Sequence, residues 1–388
     1  MHPKGAIVAV VALALAAALA AGRAQAQSID TKATHAVILD FETGLVLFDK
    51  NGDEPMPPAS MSKIMTALMT FERIKDGFIA LEDEVRVSTD AWRRGGAATG
   101  GSTMFLEVNS RVSVENLLRG VIVQSGNDAS IALAEAIGGS EAEFAAQMTE
   151  RARELGIENA TFRNATGLPD PEHRISARAL AEIARTIIRD HPELYAMYSE
   201  RAFTWNNIPQ SNRNPLLGNF AGADGLKTGH TEESGYGLVA SAERDGVRRI
   251  VVFNGLESAS DRATEAERLM RAAFSDFRIH PLFARGDTVG RAPVFLGAEA
   301  SVPVAVDADV TLAYNRRAAR EAAVEIVYQA PLKAPVAAGD PIGEVVIAVP
   351  GSPEVRAPAV AAGSVERLGL VQRVTAAAVH LIRTADDG

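Results

Sequence analysis

The sequence predicts an α+β protein, in which an antiparallel sheet is flanked by helices and is followed by a second, small all-β domain. A β-hairpin pattern comes first, at 35–40 and 45–50. Helical patterns then dominate residues 60–190, and strand patterns return from residue 203 onward. When helices separate strands in this way, the early and late strands complete one sheet, as in α+β folds.

Each end of the chain has a distinct composition. A basic Lys4, an apolar run to Gly22 and the small-residue stretch at 24–26 are typical of a signal peptide, residues 1–26. Its removal leaves 362 residues and changes the formal net charge from −10 to −12. We therefore expect export to the periplasm. The catalytic domain is expected to span 27–275.

From about residue 277 the content of glycine, proline and valine increases, and short alternating runs predict a β-rich domain over 277–366. Residues 367–388 follow as an amphipathic helix and tail, with Leu370, Val374 and Leu381 on one side. Two interpretations remain open for this tail. It either lies on a membrane surface or docks on the β-rich domain.

Composition excludes several classes of protein. The acidic balance and the lack of clustered Lys and Arg argue against nucleic acid as a partner. The chain has no cysteine, so it has neither disulfides nor a thiolate metal site. No HExxH, GxGxxG or GxSxG string occurs. We therefore expect no metal and no cofactor.

The first of three short motifs is Ser-Met-Ser-Lys at 60–63. It follows a proline-containing loop and opens an apolar pattern of helical spacing over 61–74, which predicts a helix with Ser60 in its first turn. Residues three apart share one helix face. A serine hydroxyl becomes a good nucleophile when a neighbouring base takes its proton, and a neutral lysine can be that base. Ser60 and Lys63 are therefore the candidate nucleophile and base.

The second motif is Ser-Gly-Asn at 125–127, in a turn between two helical stretches. Ser125 is a candidate for relaying a proton to the leaving amine, and Asn127 for hydrogen-bonding the substrate amide. The third motif, Lys-Thr-Gly at 227–229, precedes an alternating run at 236–242 that predicts a strand. Lys227 and Thr228 would anchor a carboxylate there, and Gly229 would let a substrate backbone approach.

Single motifs of this length arise by chance in a chain of this size. Here, however, Lys63 is the only lysine with a serine three residues before it, and Asn127 is the only asparagine with a serine two before it. The order and the local context of the three motifs therefore carry the interpretation.

Together with Phe-Arg-Asn-Ala-Thr-Gly-Leu-Pro at 162–169 and Asn-Arg-Asn at 212–214, these motifs resemble the low-molecular-mass penicillin-binding proteins, the serine-type D-alanyl-D-alanine carboxypeptidases. The resemblance covers nearly the whole mature chain. It implies a β-lactamase/transpeptidase-like fold and a role in cell-wall maturation and cell shape. It also implies removal of the terminal D-alanine from peptidoglycan stem pentapeptides, with inhibition by penicillin and other β-lactams.

Carried over residue by residue, the resemblance implies an acyl-enzyme on Ser60 and proton transfer to Lys63, with Ser125 completing the triad. Lys227 would bind the terminal carboxylate, and Arg213 would assist near it. In the resembling family the C-terminal tail lies on the membrane surface, which implies peripheral contact with the outer face of the inner membrane.

The mechanism expected from these roles begins with Lys63 neutral, its pKa lowered by partial burial and by the positive charge of Lys227. Backbone N–H groups of Ser60 and His230 would bind the oxyanion. For His173, a neutral core or capping role and a substrate contact remain equally open.

The sequence also bears on two rival functions and on one variant of the activity. A class A β-lactamase needs a Glu-x-x-Leu-Asn loop between the second and third motifs, and none occurs there. A non-catalytic binding protein would be free to lose the serine and the lysine. Endopeptidase action on cross-links stays open on sequence grounds.

Overall fold

The computed structural model describes residues 8–13, 29–315, 323–349 and 354–369. The chain divides after Asp276 into two units. We call residues 29–276 the mixed unit, and the residues from 277 onward, with the N-terminal segment, the β-rich unit. Each unit has its own cluster of buried apolar side chains, as expected of domains that fold around separate cores.

The α-helices of the described residues all lie in the mixed unit: α1 Lys63–Lys75, α2 Thr89–Gly95, α3 Val114–Ile122, α4 Asn127–Gly138, α5 Glu141–Glu154, α6 Ala177–Asp190, α7 Pro192–Tyr195 and α8 Ala259–Ser275. Five of them follow a serine whose hydroxyl oxygen accepts a hydrogen bond from a backbone N–H of the first turn: Ser88, Ser113, Ser140, Ser176 and Ser258. Because such a cap satisfies an otherwise unpaired N–H group, the local sequence determines where these helices start.

The strands comprise β1 Val8–Leu13 near the N-terminus and, in the mixed unit, β2 His35–Asp40, β3 Val46–Lys50, β4 Glu84–Arg86, β5 Arg111–Ser113, β6 Ala160–Thr161, β7 Arg174–Ile175, β8 Ala202–Trp205, β9 Ile208–Ser211, β10 Ala223–Thr231, β11 Gly235–Arg244 and β12 Val247–Leu256. Five of these form one antiparallel sheet in the order β10-β11-β12-β2-β3. The pairing of β2 with β12, with Val37 opposite Val252, confirms that early and late strands complete one sheet. Strand β10 is left at an edge of this sheet.

The start of α1 differs from the sequence-based prediction. A 3-10 turn, Ala59–Ser62, precedes the α-helix, which begins at Lys63. Turns of this type are frequent at helix N-termini because they tighten the first hydrogen bonds. Ser60 therefore lies in the 3-10 turn rather than in the first turn of the α-helix.

Helix α1 lies in the core of the mixed unit. Every residue from Lys63 to Phe71 is buried, including the apolar positions that the helical spacing singled out. The helix contacts α3, α4, α5 and α6. Because α1 is surrounded, the 3-10 turn Ala59–Ser62 at its N-terminus has a fixed position relative to the sheet and to α4. We call this segment, which contains Ser60, the nucleophile turn.

The β-rich unit holds β13 Phe277–Phe283, β14 Thr288–Phe295, β15 Ser301–Val306, β16 Val310–Asn315, β17 Ala323–Gln329, β18 Leu332–Lys333, β19 Pro341–Ala348 and β20 Val355–Ala361. Its larger sheet has the order β1-β17-β19-β20-β15-β14-β18, and β13 pairs with β16. The second, all-β part of the predicted fold is thus confirmed.

Strand β1 lies within the residues predicted to be a signal peptide. It pairs antiparallel with β17, with Val8 opposite Gln329. Cleavage of this segment stays a prediction. The predicted C-terminal amphipathic helix lies, from residue 370 onward, outside the described residues. Within the described ranges, no helix has the length and apolar character needed to cross a bilayer.

Candidate active site

The nucleophile turn brings Ser60 and Lys63 into direct contact. Lys63 Nζ lies 2.9 Å from Ser60 Oγ, 2.8 Å from Asn127 Oδ1 and 2.6 Å from the carbonyl oxygen of Thr166. The lysine is 0% exposed, whereas Ser60 is half-buried and lines an open cleft. The base is therefore enclosed by protein and the nucleophile faces the space where a substrate can bind.

The three partners of Lys63 define what it can do in each protonation state. An ammonium group has three N–H donors, and all three find an acceptor here. A neutral amine has two N–H donors and one lone pair. Because Asn127 Oδ1 and the Thr166 carbonyl can only accept, they take the two N–H groups, and the lone pair is left for the Ser60 hydroxyl. The arrangement is that of a general base hydrogen-bonded to its nucleophile.

The pKa of Lys63 is lowered from 10.5 to about 7, by burial first and then by the positive charge of Arg213, while Asp128 and Glu141 oppose the shift. Arg213 is thus a cationic neighbour of the base that the sequence did not single out for this part, and the expected repulsion between Lys63 and Lys227 is present as well. The pKa of Lys227 is itself lowered well below its usual range, by burial first and then by Lys63, Arg213 and Arg262. A lysine with a pKa near 7 is neutral often enough to act as a base.

The turn between α3 and α4 holds Ser125 in an unusual backbone conformation. Its φ is +60°, in the left-handed region that a residue with a side chain rarely adopts. Its hydroxyl is buried and has no hydrogen-bond partner among the described residues, yet the residue lines the cleft. A buried hydroxyl without a partner is costly, so such a group points to a partner that arrives with the substrate.

Asn127 begins α4 and closes the base side of the site. Its Oδ1 accepts from Lys63, and the residue is 4% exposed. The neighbouring Asp128 accepts from the backbone N–H groups of Met104 and Leu106 and from the hydroxyl of Thr103. These bonds hold residues 103–106, which follow the cleft residue Ser102, against the helix that carries Asn127.

Edge strand β10 carries the third motif. Thr228, Gly229 and His230 line the cleft, while Lys227 lies behind it, 3% exposed, with its Nζ donating to the carbonyl oxygen of Thr228 at 3.1 Å. A Cβ at Gly229 would meet Pro58 O at 2.9 Å and Met61 Cγ at 3.0 Å. This glycine therefore also lets the chain around Ser60 pack against β10, and its expected role, room for a substrate, stays a prediction.

Two arginines bring positive charge to the cleft. Arg213 donates from Nη1 to Ser102 Oγ at 2.6 Å, and Arg262 of α8 lies with its guanidinium carbon 5.4 Å from the centre of the Tyr236 ring. The Tyr236 ring in turn stacks on His230, with centroids 3.8 Å apart. The Nε of Arg262 has no partner among the described residues. Cations gathered in this way form a binding site for an anionic group such as a carboxylate.

The cleft has a volume of about 240 Å³. It is lined by six residues that the sequence singled out, Ser60, Ser125, Arg213, Thr228, Gly229 and His230, and by three that it missed, Ser102, Tyr236 and Arg262. Ser102 directly follows a glycine-rich stretch, residues 95–101. For Arg262 we find no local sequence signal, because it is an ordinary surface-type residue of an amphipathic helix.

His173 lies outside the cleft and belongs to the core. It is 2% exposed, its Nδ1 accepts from the backbone N–H of Arg163, and its Nε2 lies 2.9 Å from Ser62 Oγ. Burial lowers its pKa to about 4. With Nδ1 accepting, the neutral ring carries its proton on Nε2 and donates to Ser62. Of the two open interpretations, the structure favours the neutral core role.

The segment 162–168 contains the Thr166 carbonyl, which accepts a hydrogen bond from Lys63 Nζ. The side chain of Asn164 accepts from the backbone N–H groups of Thr166 and Gly167, and Thr66 Oγ1 donates to the carbonyl oxygen of Ala165. Gly167 has a φ of +76°, and a Cβ there would collide with Ala59 O. The carbonyl of Thr166 is thus fixed by its own segment and by α1.

Comparison with protein families finds two matches. A family model described as D-alanyl-D-alanine carboxypeptidase matches residues 21–257. A second, described as the C-terminal domain of penicillin-binding protein 5, matches residues 277–367. The two matches together account for most of the chain.

Individual relatives agree with the family models. The D-alanyl-D-alanine carboxypeptidase DacA of Haemophilus influenzae is 38% identical over 81% of this chain and 80% of its own length. The crystal structure of the D-alanyl-D-alanine carboxypeptidase DacD from Francisella tularensis is 30% identical, with a TM-score of 0.74 over 88% of this chain and 95% of the other. Penicillin-binding protein D2 of Listeria monocytogenes, solved in an ampicillin-bound form, is 29% identical, with a TM-score of 0.56 over 64% of this chain and 99% of the other.

Proposed function

The chain belongs to the D-alanyl-D-alanine carboxypeptidase family of serine peptidases, and on that premise we propose that Ser60 is its nucleophile and Lys63 its general base. The observation that carries this assignment is the set of three acceptors around Lys63 Nζ, of which only Ser60 Oγ can also donate. The fit of the family model over residues 21–257 supports it.

The acylation step follows from this geometry. Lys63 accepts the proton of Ser60 Oγ as the oxygen attacks the carbonyl carbon of the penultimate D-alanine. The resulting oxyanion is bound by the backbone N–H groups of Ser60 and His230. Ser125 relays this proton from Lys63 to the amine of the terminal D-alanine, the C–N bond breaks, and the acyl group stays on Ser60 while Lys63 returns to its neutral form. The unpartnered Ser125 hydroxyl supports this role.

Deacylation reverses these roles. Water attacks the ester carbonyl and loses its proton to the base, and Ser60 Oγ leaves as a hydroxyl.

Before acylation, the substrate's terminal carboxylate is bound by Thr228 and by the positive charges of Arg213, Lys227 and Arg262. A β-lactam takes the same attack, but its amine stays attached when the ring opens. The ampicillin-bound Listeria relative supports penicillin as an inhibitor.

Loss of the nucleophile tests the assignment. We expect Ser60→Ala to lose both the release of D-alanine from a pentapeptide ending in D-Ala-D-Ala and covalent labelling by a fluorescent penicillin. Ser199→Ala, at an exposed serine, serves as the matched control and keeps both. Labelling that persists in Ser60→Ala refutes the assignment. Mass spectrometry of the products from a cross-linked peptide dimer, run in parallel, measures endopeptidase activity.

The place of action is proposed from the ends of the chain. Residues 1–26 would direct export to the periplasm, and residues 367–388 would contact the outer face of the inner membrane. Truncation after Arg367 is expected to release the enzyme from the membrane fraction. A truncated enzyme that still sediments with membranes contradicts the contact.

A further inference from the structure

Glu141 is a buried carboxylate that the proposed mechanism does not use. It is the first residue of α5 and is 8% exposed. Its Oε2 lies 2.7 Å from Arg94 Nη2, on α2, and its Oε1 accepts from the backbone N–H of Ala165 at 3.0 Å. Burying a carboxylate is costly, so both oxygens must be satisfied, and here each has a strong partner.

The second of these partners leads directly to the base. Ala165 precedes Thr166, whose carbonyl oxygen accepts from Lys63 Nζ at 2.6 Å. The same short stretch of backbone therefore binds a carboxylate through an N–H group and an amine through a C=O group. Thr66 of α1 also donates to the Ala165 carbonyl, so the stretch has little freedom to move.

The charges around Lys63 come from several elements. Arg213 disfavours its protonated form, whereas Asp128 and Glu141 favour it. Lys227 and His173 are the other titratable groups that interact with Lys63. The oxygens of Asp128 are taken up by Thr103 and by backbone N–H groups. Glu141, by contrast, faces the half-exposed Arg94, whose side chain is 45% exposed.

Arg94 has acidic neighbours of its own. Asp90, one turn earlier on α2, lies 2.8 Å from its Nη1, and Glu135 of α4 also interacts with Arg94 and Glu141. The arginine thus neutralises part of a local excess of negative charge. Without the positive charge of Arg94, the negative charge of Glu141 would act more strongly on Lys63.

We propose that the Arg94–Glu141 pair is a positioning and tuning element for Lys63: it holds the Thr166 carbonyl against the amine and sets how readily the amine gives up its proton. The proposal rests on the proposed function, in which neutral Lys63 is the base. It gives α2, the helix that ends in the glycine-rich stretch before Ser102, an electrostatic connection to the chemistry.

The two charges of the pair act on Lys63 in opposite directions. Glu141→Gln keeps an oxygen for the Ala165 N–H but removes the negative charge, so the pKa of Lys63 falls. Arg94→Gln removes the positive charge and leaves Glu141 unneutralised, so the pKa of Lys63 rises. Because the neutral amine is the active form, the acid limb of the rate profile moves with this pKa.

The experiment measures the second-order rate constant for acylation by a fluorescent penicillin from about pH 5.5 to about pH 9. In the wild type we expect the rate to rise through a midpoint near 7, the pKa of Lys63. Glu141→Gln is expected to lower this midpoint by about half a pH unit and Arg94→Gln to raise it by a similar amount. The double variant should lie between them. Glu150→Gln, an exposed position on the same helix, should leave the midpoint unchanged.

The outcomes separate the tuning role from a purely structural one. Opposite midpoint shifts support the proposal even if the plateau rates fall. A lower plateau with an unmoved midpoint in both variants overturns it, as does a midpoint shift in the same direction in both, because a change in burial acts alike in the two variants and only the opposite charges of the pair act in opposite directions. If Glu141→Gln fails to fold, the half-exposed Arg94 still permits the test. A wild type without an acid limb overturns the basic role of Lys63 and the pair together, whereas an unmoved limb in the variants overturns the pair alone.

Discussion

The two units of the chain differ in what they bury. The mixed unit buries charged side chains, among them Lys63, Lys227, Asp128 and Glu141. Among the described residues from 277 onward, every buried side chain is apolar apart from the hydroxyl of Tyr328. Both units fold around an aliphatic core, so folding alone does not require buried charge. A buried lysine with a strongly lowered pKa, such as Lys63, is a marker of a functional site, whereas the buried Asp40–Arg249 pair of the same unit does not line the cleft.

The mixed unit tolerates these charges because each has partners. Lys63 has three acceptors, Asp128 accepts from several donors, and Glu141 pairs with Arg94. Burial also lowers the pKa of Lys63 to about 7, so that the lysine is neutral in a large share of molecules. A neutral amine is far less costly to bury than an ammonium group.

The largest effect is expected from removing the buried amine. Lys63→Met keeps much of the side-chain volume but removes the base, so acylation by penicillin should fall about 1000-fold or more. The measurement is the second-order labelling rate at about pH 8. Lys75→Met, at an exposed lysine on the same helix, is the control and should label normally. A Lys63→Met rate within tenfold of the wild type would mean that another group is the base.

The converse change adds a charge to the apolar core. Val345, 0% exposed in β19, belongs to a core cluster in which no buried side chain of the described residues carries a charge. Val345→Lys should therefore lower the free energy of unfolding of that unit by about 4 kcal/mol. Ala348→Lys, at an exposed position of the same strand, should cost little.

Limited proteolysis across a urea series reports unfolding of the β-rich unit, and penicillin labelling of Ser60 reports the mixed unit. We expect Val345→Lys to be cleaved early within residues 277–369 while labelling persists. If Val345→Lys is cleaved at the same urea concentration as the wild type, the two cores do not differ in their tolerance of a buried lysine.

A smaller effect is expected at His173, a buried group that stays neutral. His173→Leu leaves Ser62 Oγ and the Arg163 N–H without a partner, which should cost about 2 kcal/mol of unfolding free energy at pH 7. A double-mutant cycle with Ser62→Ala tests the contact, because Ser62→Ala should cost less in the leucine background. Equal costs in both backgrounds would mean that the two residues do not interact.

The same histidine predicts a pH dependence of stability. Its pKa is about 4 in the folded protein against 6.5 ordinarily, so between these values the unfolded chain binds more protons. Stability from this group therefore rises with pH from about 4 to about 6.5 and is lost in the reverse direction. The leucine variant should lack this contribution to the slope of unfolding free energy against pH.

Local signals explain why much could be predicted. The hairpin at the start, the helix after Ser258 and the strands around residues 302–306 and 324–328 are visible in the alternation, the periodicity and the caps of nearby residues. The three motifs are contiguous strings, so their order could be read directly. The 3-10 turn before Lys63 was missed because the helical spacing of apolar residues continues through it.

The residues that sequence reasoning missed act across long distances in the chain. Arg262 joins the cleft from α8, and Ser102 contacts Arg213 from 111 positions away. The close approach of Pro58 and Met61 to Gly229 is a further contact that the sequence did not predict. A contact between distant segments leaves no periodic or contiguous signal in either of them.

By itself, the sequence determined the α+β class, the family and the candidate nucleophile and base, because each depends on residues within one turn, one strand or one short string. Only the tertiary structure decided which charges act on the base: Arg213 joins burial in lowering the pKa of Lys63, and Asp128 and Glu141 oppose the shift. The physical reason is that an electrostatic field depends on distance in space and on burial, and neither is encoded in the spacing of residues along the chain.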